Sequence, residues 1–305
     1  MHDKITNLLK NESIISEETI NKIGNIDIDE FSTIVKELGE KETHHIKASE
    51  ISKELNTTYI GKKLYVYSEV SSTNTIAKFL SMQNNENGTV IISEKQTKGK
   101  GRAGKDWESP LGGIWLSIII KPDVDQSKFP LITLATGVAV ARTLETIGVE
   151  NPKIKWPNDI LINGKKVCGI LTESVTKSNK IENVVIGVGI DANLETSQFP
   201  NELKEITTTI KEELGKECDE NLLIKIFLEE FEKISEIFNQ ESYENILNEW
   251  RNRSYTIGKL VEVRKPFNTS FDAYVVGINE EGALIVERND GTLEKVISGE
   301  CIIKN

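Results

Sequence analysis

Gln96–Trp107 reads QTKGKGRAGKDW, a segment in which Lys98, Lys100, Arg102 and Lys105 are interleaved with Gly99, Gly101 and Gly104, inside a chain whose formal net charge is −11. Glycine tolerates positive φ and lets the backbone approach a ligand closely, while the cations offer charge-assisted donors to phosphate or carboxylate oxygens. The segment therefore predicts a loop that holds an anion. It also separates fold classes. Gly99–Lys105 satisfies G-x-x-x-x-G-K, the signature of a P-loop, which needs Ser or Thr at the next position and a helix starting there to aim its amides at the phosphates. Asp106 stands at that position instead, and Ser109, Pro110, Gly112 and Gly113 follow, so the sequence opposes both the magnesium ligand and the helix. An anion loop of another architecture remains, beside a solvated basic loop or a nucleic-acid patch.

Composition narrows the choice. A length of 305 residues suggests about two domains with enough apolar residues for a sizeable core. The negative net charge opposes non-specific binding to nucleic acid or anionic membrane, and makes the glycine loop a local exception. Met1–Lys10 alternates charged and apolar residues, unlike a signal peptide, and no apolar run reaches the roughly 20 residues needed to span a bilayer. Cys168, Cys218 and Cys301 are far apart and odd in number, which reads as free thiols in a reducing cytoplasm. His2, His44 and His45 all lie near the start of the chain. The body of the protein thus lacks a Ser/His/Asp triad, a Cys/His pair or a zinc cluster of the usual ligands, and its chemistry falls to Lys, Arg, Asp and Gln.

Three parts are expected: a helical region over residues 1–46, a body over 60–255 and a C-terminal module over 256–305. The first reads as short helices at Ile5–Leu9, Glu17–Ile23 and Asp29–Leu38, with Ser16 as an N-cap and Gly24 and Gly39 as stops. That order is a degenerate helix-turn-helix. Its third helix carries Asp29, Glu30 and Glu37, with Glu40 just beyond, and no hairpin wing follows, which opposes DNA binding. The body reads as strands at Leu64–Ser68, Thr89–Glu94, Gly113–Ile120, Lys153–Lys155, Ile160–Ile162, Val167–Glu173 and Val184–Ile190, interrupted by helices at Phe129–Ile147 and about Leu222–Arg251. The fold class is α+β, helices against a mixed sheet. Asn163-Gly164 between two apolar runs predicts a type I′ hairpin that sends Lys165 and Lys166 to opposite faces. The last part reads as short strands at Lys259–Val263, Phe271–Ile278, Ala283–Glu287 and Leu293–Ile297, a small barrel.

Several separated segments resemble the biotin protein ligases. QTKGKGRAGKDW is similar to the family's biotinyl-adenylate loop, G-R-G-R-x-G-R-x-W, and Glu69–Asn74 to its S-T-N segment. Lys155–Ile160 is the K-W-P-N-D-[IL] motif unaltered. Lys166–Glu173, KVCGILTE, resembles K-x-x-G-I-L-x-E, and Gly187–Asn193, GVGIDAN, resembles G-x-G-I-N-x-N. Gly282-Ala283-Leu284 and Ser298-Gly299-Glu300 resemble the C-terminal SH3-like domain, so the likeness runs in order from about residue 48 to the end. It implies a mixed-sheet catalytic domain of the biotin/lipoate ligase type with helices on one face, an SH3-like β-barrel after it, and a two-step reaction. Biotin and Mg-ATP give biotinyl-5′-adenylate and pyrophosphate, and a lysine of a carboxylase's biotin carrier domain then takes the biotinyl group. Two anions must meet in the first step, so fixed positive charge matters more than a nucleophile.

Roles follow from the resemblance. Ser72, Thr73, Asn74 and Gln96 would meet the biotin rings. Lys100, Gly101 and Arg102 would close over them, with Trp107, Lys166 and Gly169 completing the biotin site. ATP would meet Gly99, Lys100, Arg102, Trp107, Asp191, Asn193 and Lys304. Arg102 and Lys166 would be catalytic, neutralising the carboxylate and the forming ester. Asp159 would face Mg²⁺, which takes only one or two protein carboxylates; read alone, it is equally an Asp closing a turn. Trp107 and Trp156 would be apolar walls, although a buried tryptophan is more often core. The loop would be a lid that orders over the adenylate and excludes water. Departures from the family pattern are Lys100 and Lys105 for Arg, which keep charge but lose bidentate geometry, Asp191 for Asn, which accepts but cannot donate when ionised, and the short acidic N-terminal region. The family often forms homodimers through sheet edges. The alternatives are a lipoate or other acyl ligase of the same superfamily, a ligase that is also a biotin-responsive repressor, and a non-catalytic adenylate-binding protein.

Overall fold

A computed structural model of the chain describes residues 45–83, 87–121, 128–177, 180–239, 243–265 and 269–304. The helices expected between Ile5 and Leu38 lie outside the described residues. The described elements run α1 (Ala48–Ser52), β1 (Leu64–Val70), α2 (Thr73–Gln83), β2 (Val90–Gln96), β3 (Ile114–Ile120), α3 (Phe129–Thr146), β4 (Lys153–Lys155), β5 (Asp159–Ile162), β6 (Lys165–Lys177) and β7 (Lys180–Ile190). They continue with α4 (Asn201–Lys204), α5 (Ile210–Leu214), α6 (Glu220–Asn239), α7 (Tyr243–Arg253), β8 (Leu260–Lys265), β9 (Thr269–Ile278), β10 (Leu284–Arg288), β11 (Leu293–Val296) and β12 (Glu300–Ile303). Seven strands form a mixed sheet in the order β1-β2-β3-β7-β6-β5-β4 and five form a second sheet in the order β11-β10-β9-β8-β12. Pairing is parallel for β1 with β2 and antiparallel for β2 with β3 and β3 with β7. This is the expected α+β class.

Two compact units divide the chain. One holds the described residues below 122 with Leu171–Glu229, the other those from 128 to Ile170 with the rest from Glu230 onward. In the first, α2 lays Ile76, Ala77, Phe79 and Leu80 against Tyr67, Val70, Ile91, Ile119, Val175 and Val185 of the sheet. The sequence expectations contain no helix here, because Thr73-Asn74-Thr75 opens it with poor helix formers; the spacing of Ile76, Phe79 and Leu80 is the available signal.

In the second unit, α3 is buried along most of its length, and Gly137 lets it close on Ile154 and Ile160, which lie 3.4 and 3.6 Å from where a Cβ would stand. A bidentate pair, Arg142 Nε and Nη2 on Glu249 at 3.0 and 2.5 Å, joins α3 to α7. The span expected as one helix over Leu222–Arg251 holds two, α6 and α7, each with its own apolar face. The hairpin expectation holds: Asn163 and Gly164 have φ of 51° and 81°, both positive as a type I′ turn requires, and Ile162 pairs with Lys165 across it. The C-terminal sheet gains a strand beyond those expected, β12, paired antiparallel with β8.

Candidate functional site

Within the first unit the glycine loop is itself a small hairpin. Lys100 and Asp106 form an antiparallel bridge, Gly101 N donates to Lys105 O at 2.7 Å, Trp107 N donates to Gly99 O at 3.0 Å, and Arg102–Gly104 makes a single 3₁₀ turn. No helix follows Lys105, in keeping with the rejected P-loop. The glycines serve different ends. A Cβ on Gly99 would stand 2.3 Å from Trp107 O and 2.5 Å from Ser109 Oγ, whereas Gly104 has φ of 74° and open space around it. Lys98 and Lys105 are exposed, while Lys100 and Arg102 are half-buried.

The hairpin is hung on a buried polar cradle. Thr97 N and Lys98 N donate to Val70 O and Ser71 O, each at 2.9 Å, which ties the start of the loop to the end of β1. Gln96 Oε1 accepts the Thr73 amide at 2.8 Å, and Gln96 Nε2 donates to Ser109 Oγ at 2.8 Å. Ser72, Thr73 and Asn74 are buried at the start of α2. Asn74 Nδ2 donates to Glu173 Oε2 at 2.8 Å, Lys78 pairs with the same carboxylate, and Ser117 of β3 lies 2.6 Å from Asn74 Oδ1. Lys100 Nζ donates to Thr75 Oγ1 at 3.1 Å. Burial pushes the Lys100 ammonium below the ordinary lysine range and nearby Lys78 pushes it further, against the pull of Glu173.

β7 explains why its motif contains two glycines. A Cβ at Gly187 would stand 2.2 Å from Asn74 Oδ1, and one at Gly189 would stand 2.5 Å from Trp107 Nε1. The strand is notched to admit a polar side chain and an indole. Trp107 meets Trp115 edge to face at 6.5 Å between ring centroids, with Leu194 and Phe199 in the same cluster. Asp191 is buried at the end of this strand. Asn193 is committed inside the protein: Nδ2 donates to Cys218 O and Glu220 Oε1, both at 3.0 Å, and Oδ1 accepts from Cys218 N at 2.9 Å. Burial pushes the Cys218 thiol up to about 12, and Glu220 adds to it.

In the second unit, Lys166 Nζ lies 2.6 Å from Asp159 Oδ1, and Asp159 pairs with Gly169 across the β5–β6 ladder. Lys165 is exposed, as a surface lysine should be. Trp156 is buried, its Nε1 donating to Gly282 O at 3.1 Å and its amide to Thr256 Oγ1 at 2.9 Å, so this indole is structural. Lys304 is pinned by a 2.5 Å pair with Asp272 and by its amide on Leu260 O at 3.0 Å, rather than frayed. Among the described residues no group of three or more His, Cys, Asp or Glu gathers to hold a metal. No described helix is long and apolar enough to cross a membrane.

Ser72, Thr73, Asn74, Gln96, Gly99, Lys100, Gly101, Arg102, Trp107, Asp191 and Asn193 thus fall in the first unit, and Asp159, Lys166, Gly169 and Lys304 in the second. Ser117, Lys78 and Glu173 have no role in the sequence expectations. A lone hydroxyl in the apolar run Ile114–Ile120, IWLSIII, is the signal for the first.

A mixed sheet carrying a glycine-rich cationic hairpin over a buried polar cradle is the frame of one ligase class: the Biotin/lipoate A/B protein ligase family model matches residues 66–191 and that of the biotin protein ligase C-terminal domain matches 256–304. The chain is 36% identical over 261 residues to the bifunctional ligase/repressor BirA of Bacillus subtilis, covering 85% of this chain and 80% of that one. It is 31% identical over 206 residues to the biotin--[acetyl-CoA-carboxylase] ligase of Mycobacterium tuberculosis, covering 66% and 73% respectively. Among solved structures, the biotin protein ligase from Aquifex aeolicus in complex with biotin and ATP matches with a TM-score of 0.70 at 28% identity, over 80% of this chain and 99% of that one. The chain belongs to the biotin protein ligase family, a family of enzymes.

Proposed function

We propose that this protein joins biotin to ATP and then to a lysine of a carboxylase's biotin carrier domain. The observation that supports it most is the cradle of Thr73, Gln96, Asn74 and Ser117 beneath a hairpin bearing Lys100 and Arg102, a neutral polar floor beside fixed cations. In the first step a biotin carboxylate oxygen attacks the α-phosphorus, the bond to the β-phosphate oxygen breaks, and pyrophosphate leaves with the electron pair. Arg102 and Lys166 offset the charge of the approaching anions, and the hairpin backbone at Lys100 and Gly101 covers the rings. In the second, the carrier amine attacks the acyl carbon, the bond to the phosphate oxygen breaks, AMP departs and the amine loses a proton. Gly99, Trp107, Asp191 and Lys304 are assigned to the ATP side, where Asp191 can accept from a ribose hydroxyl.

Magnesium fits as an ion that arrives on the ATP phosphates, since it keeps waters and takes few protein carboxylates. Asp159, already beside the Lys166 ammonium, is the carboxylate that would hold it. When bound, the ion draws charge from the phosphates. The division into a helical region over 1–46, a catalytic domain over 60–255 and an SH3-like domain over 256–305, a cytoplasmic location and a homodimer belong to the same reading. A repressor role is the second reading, favoured by the bifunctional ligase/repressor relatives; the acidic residues Asp29, Glu30 and Glu37 predict no shift of the protein's own upstream DNA in a salt-series gel assay. Competition with lipoate or octanoate separates the acyl-ligase alternative. The decisive assay mixes purified protein, biotin, Mg-ATP and a carrier domain: pyrophosphate release and a biotinylated lysine are expected, and no release under those conditions sinks the proposal.

A further inference from the structure

Ser117 has one hydroxyl proton, yet its Oγ lies 2.7 Å from Thr73 Oγ1 and 2.6 Å from Asn74 Oδ1. Only one neighbour can receive it. The amide of Asn74 is oriented from its other side, because Nδ2 lies 2.8 Å from Glu173 Oε2 and a carboxylate paired with Lys78 only accepts. Asn74 Oδ1 is then an acceptor facing Ser117. Were the Ser117 proton turned to Thr73, two lone-pair oxygens would face each other at 2.6 Å with both residues buried, leaving an unsatisfied acceptor. The proton therefore goes to Asn74, and the 2.7 Å contact is the Thr73 hydroxyl donating to Ser117. Gln96 Oε1, 3.2 Å from Thr73 Oγ1, already accepts the Thr73 amide at 2.8 Å and does not need that hydroxyl. Thr73 Oγ1 is left with lone pairs only.

We propose that Lys78, Glu173, Asn74 and Ser117 form a directional hydrogen-bond relay that makes Thr73 Oγ1 an acceptor, and so selects a substrate ring bearing an N–H donor over one without it. The inference rests on the ligase reading and deepens it: the ureido ring of biotin has such donors, whereas a dithiolane ring or an alkyl chain has none. Glu173 and Ser117 are positioning residues that act through Thr73. Gly187, opposite Ser117 in the β3–β7 ladder, belongs to the same device, since its missing Cβ is what admits Asn74 Oδ1.

The test compares wild type, Glu173→Gln and Ser117→Ala in biotin-dependent pyrophosphate release, using biotin and an analogue in which oxygen replaces a ureido N–H. The amide introduced by Glu173→Gln can donate to Asn74, which then turns over and reverses the relay; Ser117→Ala cuts it in the middle without touching a charge. Each variant is expected to raise KM for biotin about tenfold, with kcat at saturating biotin and KM for ATP changed less than about threefold. Each is also expected to shrink the preference for biotin over the analogue by about tenfold, a ratio that a purely structural defect leaves alone. If circular dichroism shows Glu173→Gln to be unfolded, Ser117→Ala decides. Wild-type KM and wild-type discrimination in the folded variants overturn the relay, while a wild type that releases no pyrophosphate with biotin overturns the ligase reading beneath it.

Discussion

Lys100 and Lys166 sit on hairpins built in opposite ways. The Lys166 hairpin is closed by a two-residue turn with both residues at positive φ, and its lysine has a carboxylate 2.6 Å away. The Lys100 hairpin is closed by a 3₁₀ turn over Arg102–Gly104 and packs Gly99 against the Trp107 backbone at its base, and its lysine donates to a hydroxyl, with burial and Lys78 making its charge costly. One cation is neutralised in advance; the other is raised in free energy until an anion reaches it. A paired lysine keeps its place, and one whose charge is destabilised gains most from an anionic ligand.

The comparison can be broken at either hairpin. Lys166→Met removes a group assigned to the forming ester and is expected to slow adenylate formation by about 10²–10³-fold in single-turnover assays; a loss of about threefold or less would make Lys166 a structural partner of Asp159. Gly99→Val drives a side chain into Trp107 O and Ser109 Oγ, and misplacing the hairpin should cost about 10²-fold in kcat/KM for biotin, measured on protein whose fold is checked by circular dichroism. Unchanged turnover would show that the hairpin shape is not used.

Lys100 gives a pH test. Its folded pKa is lowered, so as pH rises it loses its proton before an ordinary lysine does, and between the folded and unfolded values the unfolded chain holds more protons. Stability from this group therefore rises with pH across that window, while anion binding falls. The alkaline limb of kcat/KM should lie below the ordinary lysine range and move to higher pH in Lys100→Arg. Asn193→Ala should lower stability by about 1–3 kcal/mol by stranding the Cys218 amide and its neighbours, with KM for ATP changed less than about threefold; a large KM effect with unchanged stability reverses that assignment. The smallest expected effect is on the exposed Lys98 and Lys105, where biotin with ATP should slow tryptic cleavage by about severalfold if the hairpin acts as a lid.

Much of this is legible in the chain. Strands β1 to β11 fall within a few residues of their sequence expectations, because alternation and turn residues such as Asn163-Gly164 are local signals. α2 is not, since its first turn is polar to suit the cradle and only its later face looks helical. β12 is not, because four residues near the end of the chain acquire strand character only from pairing with β8. For the site, motif spacing locates the hairpin and Lys166, but the work of Gly187 and Gly189 depends on side chains far away in sequence, Asn74 and Trp107. The positive φ of Ala103 has no sequence signature at all.

The indole of Trp156 has a practical consequence for anyone dissecting this protein. Its ring nitrogen and its amide are satisfied by Gly282 and Thr256, and a Cβ at Gly282 would stand 2.8 Å from Leu134 and 2.9 Å from Leu131 of α3. A stop codon after residue 255 would therefore strand two buried donors inside the K-W-P-N-D segment and bare one side of α3. The C-terminal segment is thus the acceptor for both nitrogens of Trp156, and a shortened enzyme should be judged first by whether the strands around that indole still fold.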